Sequence, residues 1–268
     1  TRNHGLGDPI KEIFTPGRDL RSSAETHERR SESNRVAPCA TLITPTRRSD
    51  HNRLFEVRGL LGGNALDKAG LLHQMMGSSV VAVIRARDAQ EAVHTFQALQ
   101  AGGVRCIEVA LTTPSALDSI REMSAAARDC TLVGVGSVLD PESARASILA
   151  GARFVVSPTL NRDVISMCAR YGVISVPGAF TPTEILSACE AGADVVKVFP
   201  ARALGPSYIR DILAPMPNLK LMPTGGVGPA NMKQYLEAGA TLVGMGSELA
   251  GKQLIAERKW DEFSARTS

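Results

Sequence analysis

Val80-Val81-Ala82-Val83-Ile84-Arg85-Ala86-Arg87-Asp88 is a β-branched run that passes straight into an arginine-bearing turn and a helix-capping aspartate. Five consecutive apolar residues read as a strand covered on both faces. Asp88 ahead of Ala89 reads as a helix start. The turn between them decides between two architectures. An open, doubly wound sheet would place a Gly-x-Gly-x-x-Gly turn after its first strand, whereas this chain has Arg85-Ala86-Arg87.

Working outward, seven further β-rich runs follow at regular intervals: Cys106–Leu111, Thr131–Val135, Phe154–Ser157, Val173–Val176, Asp194–Phe199, Leu219–Met222 and Leu242–Met245. Amphipathic segments separate them, opened by Thr113-Pro114, Asp140-Pro141-Glu142, Asn161-Arg162-Asp163, Thr181-Pro182-Thr183-Glu184, Gly205-Pro206-Ser207 and Gly228-Pro229. Proline just inside a helix behind a capping residue is the expected order. Ala101-Gly102, Ala150-Gly151, Ala191-Gly192 and Ala238-Gly239 recur every 41–49 residues and close every second helix. Eight strands alternating with helices predict an α/β fold, a closed (β/α)8 TIM barrel over residues 64–268, preceded by a helix within Ala65–Met76.

Residues 1–63 lack either periodicity and are rich in Arg, Ser, Thr and Pro, so a largely disordered N-terminal extension is expected there. They hold 11 Lys/Arg and 8 Asp/Glu, against 19 of each in residues 64–268, so the whole excess of +3 lies in the extension. A neutral barrel with 4% aromatic residues argues against nucleic acid as a partner. No apolar run reaches the ~18 residues of a membrane span. Cys39, Cys106, Cys130, Cys168 and Cys189 contain no Cys-x-x-Cys pair and fit a reducing, cytoplasmic setting. An organelle is the alternative if residues 1–63 include a transit peptide, against which Glu25, Glu28 and Glu32 count. No His, Cys or carboxylate spacing suggests a metal, and no cofactor is expected.

The chemistry concentrates at strand ends. Lys197 stands among Val195, Val196, Val198 and Phe199, and lysine is almost never buried unless paired or functional. The two-residue period puts Val195, Lys197 and Phe199 on one face of the sixth strand, and Cys106, Glu108 and Ala110 on one face of the second. Those strands lie opposite in an eight-strand ring, so a lysine and a glutamate meet near the axis. Either they form an ion pair that only neutralises itself, or a desolvated lysine acts as a nucleophile toward carbonyls with Glu108 moving protons. Met222-Pro223-Thr224-Gly225-Gly226-Val227-Gly228 and Val243-Gly244-Met245-Gly246-Ser247 follow the seventh and eighth strands, where barrels commonly bind phosphate. Arg85 ends the first strand, either as a clamp for a carboxylate or as a solvated rim charge. Gly134-Val135-Gly136-Ser137, Ser157-Pro158 and Pro177-Gly178 read as tight turns.

Five motifs together are specific: Gly102-Gly103-Val104-Arg105-Cys106-Ile107-Glu108-Val109, Val133-Gly134-Val135-Gly136-Ser137-Val138-Leu139, Val176-Pro177-Gly178-Ala179-Phe180-Thr181-Pro182-Thr183-Glu184, Val196-Lys197-Val198-Phe199-Pro200-Ala201 and Pro223-Thr224-Gly225-Gly226. Through them residues 65–262 resemble the class I, metal-free 2-keto-3-deoxy-6-phosphogluconate (KDPG) / 4-hydroxy-2-oxoglutarate (KHG) aldolases, which are barrels and commonly homotrimers. The resemblance implies Lys197 as the Schiff-base lysine and Glu108 as the general acid/base. It implies substrate contacts at Arg85, Ser137, Pro158 and Phe199, and a phosphate site at Thr224, Gly225, Gly226, Gly246 and Ser247. The implied reaction cleaves KDPG to pyruvate and glyceraldehyde 3-phosphate, with cleavage of KHG to pyruvate and glyoxylate as a second activity the resemblance implies. Alternatives are the galactonate epimer, decarboxylation of a 2-keto diacid such as oxaloacetate, and a non-catalytic sugar-phosphate-binding barrel. Where some members carry Leu-Arg-Thr this chain has Leu111-Thr112-Thr113, and Ser137 stands where threonine is usual. The carboxylate contact therefore shifts to Arg85.

Overall fold

The computed structural model describes residues 67–128, 130–246 and 249. The expected extension over residues 1–63 and the site residue Ser247 lie outside the described residues. In chain order the elements are α1 Lys68–Met76, β1 Val80–Ile84, α2 Ala89–Ala101, β2 Cys106–Ala110, α3 Ala116–Ala126, β3 Leu132–Gly136, α4 Pro141–Leu149, β4 Phe154–Val156, α5 Arg162–Tyr171, β5 Ile174–Val176 and β6 Gly178–Ala179. They continue with α6 Pro182–Glu190, β7 Val196–Val198, α7 Gly205–Leu213, β8 Leu221–Pro223, α8 Met232–Glu237 and β9 Val243–Met245.

All pairings are parallel, in two ladders ordered β5-β4-β3-β2-β1-β9 and β6-β7-β8. Two junctions join them into a ring of eight staves. Pro177 has no N–H to give and splits the fifth stave into β5 and β6, yet its carbonyl still accepts from Lys197 N at 2.9 Å. A parallel bridge between Thr224 and Gly244 joins β8 to β9. The eight expected runs thus become eight staves. The sixth is shorter than expected because the Asp194 carboxylate turns away to accept from Ser175 N (2.8 Å), Ser175 Oγ (2.9 Å) and Lys68 Nζ (2.9 Å).

Alternation along each strand sorts the apolar side chains into three groups. Ala82, Ile84, Ile107, Val109, Val133, Val135 and Val155 face outward against α2 to α5. Val196, Val198, Leu221, Val243 and Met245 face outward against α6 to α8. Val81, Cys106, Leu132, Phe154, Val156, Ile174, Val176, Val195, Met222 and Leu242 fill the barrel interior, joined by Leu71 and Met75 of α1. The interior set includes the N-terminal portions of the strands, so α1 stoppers that end. Burying two such side chains is worth about 1.5–3 kcal/mol each.

Most helix starts match expectation. Asp88, Asp140 and Asn161 accept from backbone N–H groups of the first turn, and Thr181 with Glu184 forms a reciprocal capping box. Thr113-Pro114 does not start α3. Ser115 precedes that helix without a side-chain cap, and the buried Thr113 hydroxyl instead accepts from Ala86 N at 3.3 Å. Among the described residues, no helix is long and apolar enough to cross a membrane.

Candidate active site

Lys197 is the middle residue of β7 and Glu108 the middle residue of β2, on opposite staves of the ring. Both are buried, with 5% and 2% of their surfaces exposed. Their ladder neighbours explain why the interior has room for them. Lys197 is level with Gly178 and Met222, while Glu108 is level with Val83 and Gly134. Gly134 lies inside β3 as the run Thr131–Val135 predicted, and Gly136 extends the strand where a tight turn was expected. A Cβ on Gly134 would fall 2.3 Å from the Phe154 ring, and one on Gly136 would fall 2.4 Å from Glu108 Oε1. These two glycines therefore let an aromatic floor and a carboxylate cross the space beside β3.

The electrostatics follow from that burial. Desolvation pushes the Glu108 carboxyl above its ordinary range, partly offset by the positive charges of Lys197 and Arg85. Desolvation likewise pulls the Lys197 ammonium below its ordinary range; Glu108 opposes this and Arg85 reinforces it. The Phe199 ring lies 4.7 Å from Lys197 Nζ and attracts its charged form. Glu108 Oε2 is buried and has no hydrogen-bond partner among the described residues. The pair is thus poised with the lysine less basic and the glutamate less acidic than in water.

Arg85 follows β1 directly and is exposed, yet it acts electrostatically on both buried groups. Its loop is held by the bond from Ala86 N to Thr113 Oγ1. Ser137 follows Gly136 in a left-handed conformation, with φ 61°, which carries strain in a residue with a Cβ. Pro158 follows β4, and its carbonyl would lie 2.2 Å from a Cβ on Gly178, the ladder neighbour of Lys197. Phe199 links the lysine to the glycine loop, since a Cβ on Gly225 would stand 3.1 Å from its ring.

The loop after β8 has a defined polarity. Gly225 and Gly226 adopt φ of 87° and 86°, a region that favours glycine. Thr224 O accepts from Ala201 N (2.8 Å), Gly225 O from Arg202 N (2.9 Å) and Gly226 O from Asn231 Nδ2 (2.9 Å). Three successive carbonyls are engaged, whereas among the described residues nothing accepts from the N–H groups of Gly225 or Gly226. Such a loop offers donors and favours an anion. The Thr224 side chain is buried over Gly244, and its hydroxyl donates to Met222 O at 3.3 Å. Gly246 follows β9.

The structure thus brings Lys197, Glu108 and Arg85 within electrostatic reach of one another, and sets Phe199 over Lys197 and Gly225 beside Phe199. Sequence reasoning missed the spacing role of Gly134 and Gly136, although their two-residue period marked one strand face. It also missed Thr113, whose hydroxyl was concealed by a plausible helix start.

Comparison with known proteins places this geometry in context. The family model described as KDPG and KHG aldolase matches residues 72–265. The 2-dehydro-3-deoxy-6-phosphogalactonate aldolase of Escherichia coli is 35% identical over 187 residues, covering 69% of this chain and 91% of that protein. The 2-dehydro-3-deoxy-phosphogluconate aldolase of Treponema pallidum is 36% identical over 187 residues, covering 69% and 89%. The KDPG aldolase of Legionella pneumophila, solved with pyruvate captured as a covalent carbinolamine intermediate, superposes with a TM-score of 0.68 at 28% identity, covering 74% of this chain and 96% of that one.

Proposed function

The chain belongs to the KDPG and KHG aldolase family, and from that premise we propose that Lys197 is its Schiff-base nucleophile and Glu108 its general acid/base. The protein is a lyase acting on a small molecule, and the proposed substrate is a 2-keto-3-deoxy-6-phospho sugar acid. The observation that carries this reading is a buried lysine and a buried glutamate on opposite staves, each displaced toward its neutral form.

Neutral Lys197 Nζ attacks the C2 ketone to give a carbinolamine, and loss of water gives an iminium. The C3–C4 bond then breaks, its electron pair moving into the iminium to form an enamine. Glu108 takes the proton of the C4 hydroxyl as that carbon becomes the aldehyde of glyceraldehyde 3-phosphate. The same carboxyl then protonates the enamine at C3, and water releases pyruvate and regenerates the amine. A carboxyl raised above its ordinary range suits both proton transfers near neutrality. Arg85 has the chemistry to pair with the substrate carboxylate, with Ser137, Pro158 and Phe199 lining the keto-acid end. The donors of Gly225 and Gly226, with Gly246 just after β9, supply a place for the phosphate, and Ser247, the next residue in the sequence, is the remaining proposed contact.

Incubation with pyruvate and borohydride, followed by peptide mass mapping, should place one reduced adduct on Lys197. An adduct on another lysine would overturn the assignment. The relatives include both gluconate and galactonate aldolases, so cleavage rates on the two C4 epimers and on 4-hydroxy-2-oxoglutarate should show the phosphorylated gluconate epimer turned over fastest. A homotrimer is the proposed assembly, measurable by light scattering.

A further inference from the structure

A phosphate monoester carries about −1.5 to −2 charges at pH 7, yet the proposed cradle of glycine N–H groups and hydroxyls contains no cation. The neighbouring segment supplies one. Arg202 lies in the short 3-10 turn Ala201–Ala203 that follows β7, and its backbone is locked to the cradle. Its own N–H donates to Gly225 O at 2.9 Å, and the preceding Ala201 N donates to Thr224 O at 2.8 Å. Tyr235 Oη donates to Ala201 O at 3.2 Å, fixing the turn from beneath. A Cβ on Gly226 would lie only 2.5 Å from Arg202 Cβ, so the arginine stem leaves the backbone directly against the second cradle glycine. Arg202 is exposed and makes no ion pair among the described residues.

We propose that Arg202 is a specificity-determining residue whose guanidinium pairs with the phosphate of the substrate held at Gly225 and Gly226, selecting phosphorylated over unphosphorylated keto acids. This rests on the phosphate placement given above. The site then divides the work: glycine N–H groups orient the phosphate oxygens, while a long, solvent-facing cation neutralises their charge. Its distance along the substrate from the reacting carbons makes it a contributor to binding and not to bond cleavage.

The test compares the intact protein with Arg202→Ala and Arg202→Lys on the phosphorylated keto acid. A second readout is exchange of the pyruvate methyl hydrogens in deuterated water, which uses Lys197 and Glu108 but no phosphate. Loss of one exposed charge-assisted contact should raise KM for the phosphorylated acid about tenfold in Arg202→Ala, with kcat within about twofold. Pyruvate exchange should be unchanged, Arg202→Lys should recover most of the loss, and high salt should narrow the gap. An unchanged KM in Arg202→Ala, or an equal fall in pyruvate exchange, would overturn the proposal. Wild-type protein with no preference for the phosphorylated acid over 4-hydroxy-2-oxoglutarate would overturn the substrate reading and Arg202 together. Wild-type preference that survives undiminished in Arg202→Ala would overturn Arg202 alone.

Discussion

Replacing Gly136 by alanine tests the role of Glu108 without altering Glu108 itself. The added methyl would sit 2.4 Å from Oε1 and 2.9 Å from Cδ of that side chain. Ordinary contact begins near 3.4 Å, so the carboxylate must withdraw by about 1 Å. Gly136 does not have a positive φ, so alanine meets no backbone penalty and the perturbation falls on the neighbour. A misplacement of about 1 Å can cost about 10²-fold in rate. Overpacking of this kind destabilises by about 1–3 kcal/mol, which a folded domain should survive. Three measurements separate the effects: kcat for cleavage, pyruvate methyl exchange, and the final extent of borohydride trapping on Lys197. We expect cleavage and exchange to fall together by about 10²-fold, while trapping still approaches one adduct per chain because Lys197 is untouched. Circular dichroism and thermal melting report whether the barrel is intact. A folded Gly136→Ala protein with undiminished cleavage and exchange would refute a position-sensitive proton-transfer role for Glu108.

Three further substitutions test charged groups, two at the active site and one at the base of β7. Glu108 favours the Lys197 ammonium and Arg85 disfavours it, so Glu108→Gln should move the midpoint of the Lys197 trapping-rate profile to lower pH and Arg85→Ala should move it higher; shifts of the opposite sign would mean the groups do not interact as placed. Asp194→Ala removes acceptors for Ser175 N, Ser175 Oγ and Lys68 Nζ and should cost about 2–3 kcal/mol, seen as a melting temperature lower by roughly 4–10 °C with kcat preserved.

The legible part of the fold was the part written in period and punctuation. Eight β-rich runs became eight staves because each is apolar on both faces, as a barrel strand between core and helices must be. Asp88, Asp140, Asn161 and Thr181 announced helices because a side-chain oxygen ahead of an amphipathic segment satisfies first-turn donors that have no other partner. Lys197 and Glu108 were legible because charge inside an apolar run is costly enough to need a reason. What stayed hidden depends on contacts between distant segments. Pro177 was visible, but its interruption of a stave depends on the register of β7 beside it. The run Thr131–Val135 stopped one residue short because Gly136-Ser137 resembled a turn and glycine is ambiguous alone; only Glu108 crossing beside Gly136 shows why the strand continues through it. The pairing of Thr113 with Ala86 joins residues 27 positions apart, and no local pattern encodes it.

The helical stopper formed by α1 makes the barrel a blind well rather than a tunnel. Leu71 and Met75 close one end together with Val81, Cys106, Leu132 and Leu242, and Lys197 stands two residues beyond the interior Val195, farther toward the open rim. Among the described residues, the rim at the C-terminal ends of the strands is the end that α1 leaves unplugged. In the proposed reaction, with the pyruvate fragment tethered to Lys197 and the phosphate at the glycine loop, the phosphorylated aldehyde would lie nearer the exit and depart first. In the synthetic direction of that proposed reaction the queue would reverse: pyruvate would load before the aldehyde, and an aldehyde arriving early would block the path behind it. The order of traffic is thus set by a plugged floor on the far side of the barrel from the chemistry.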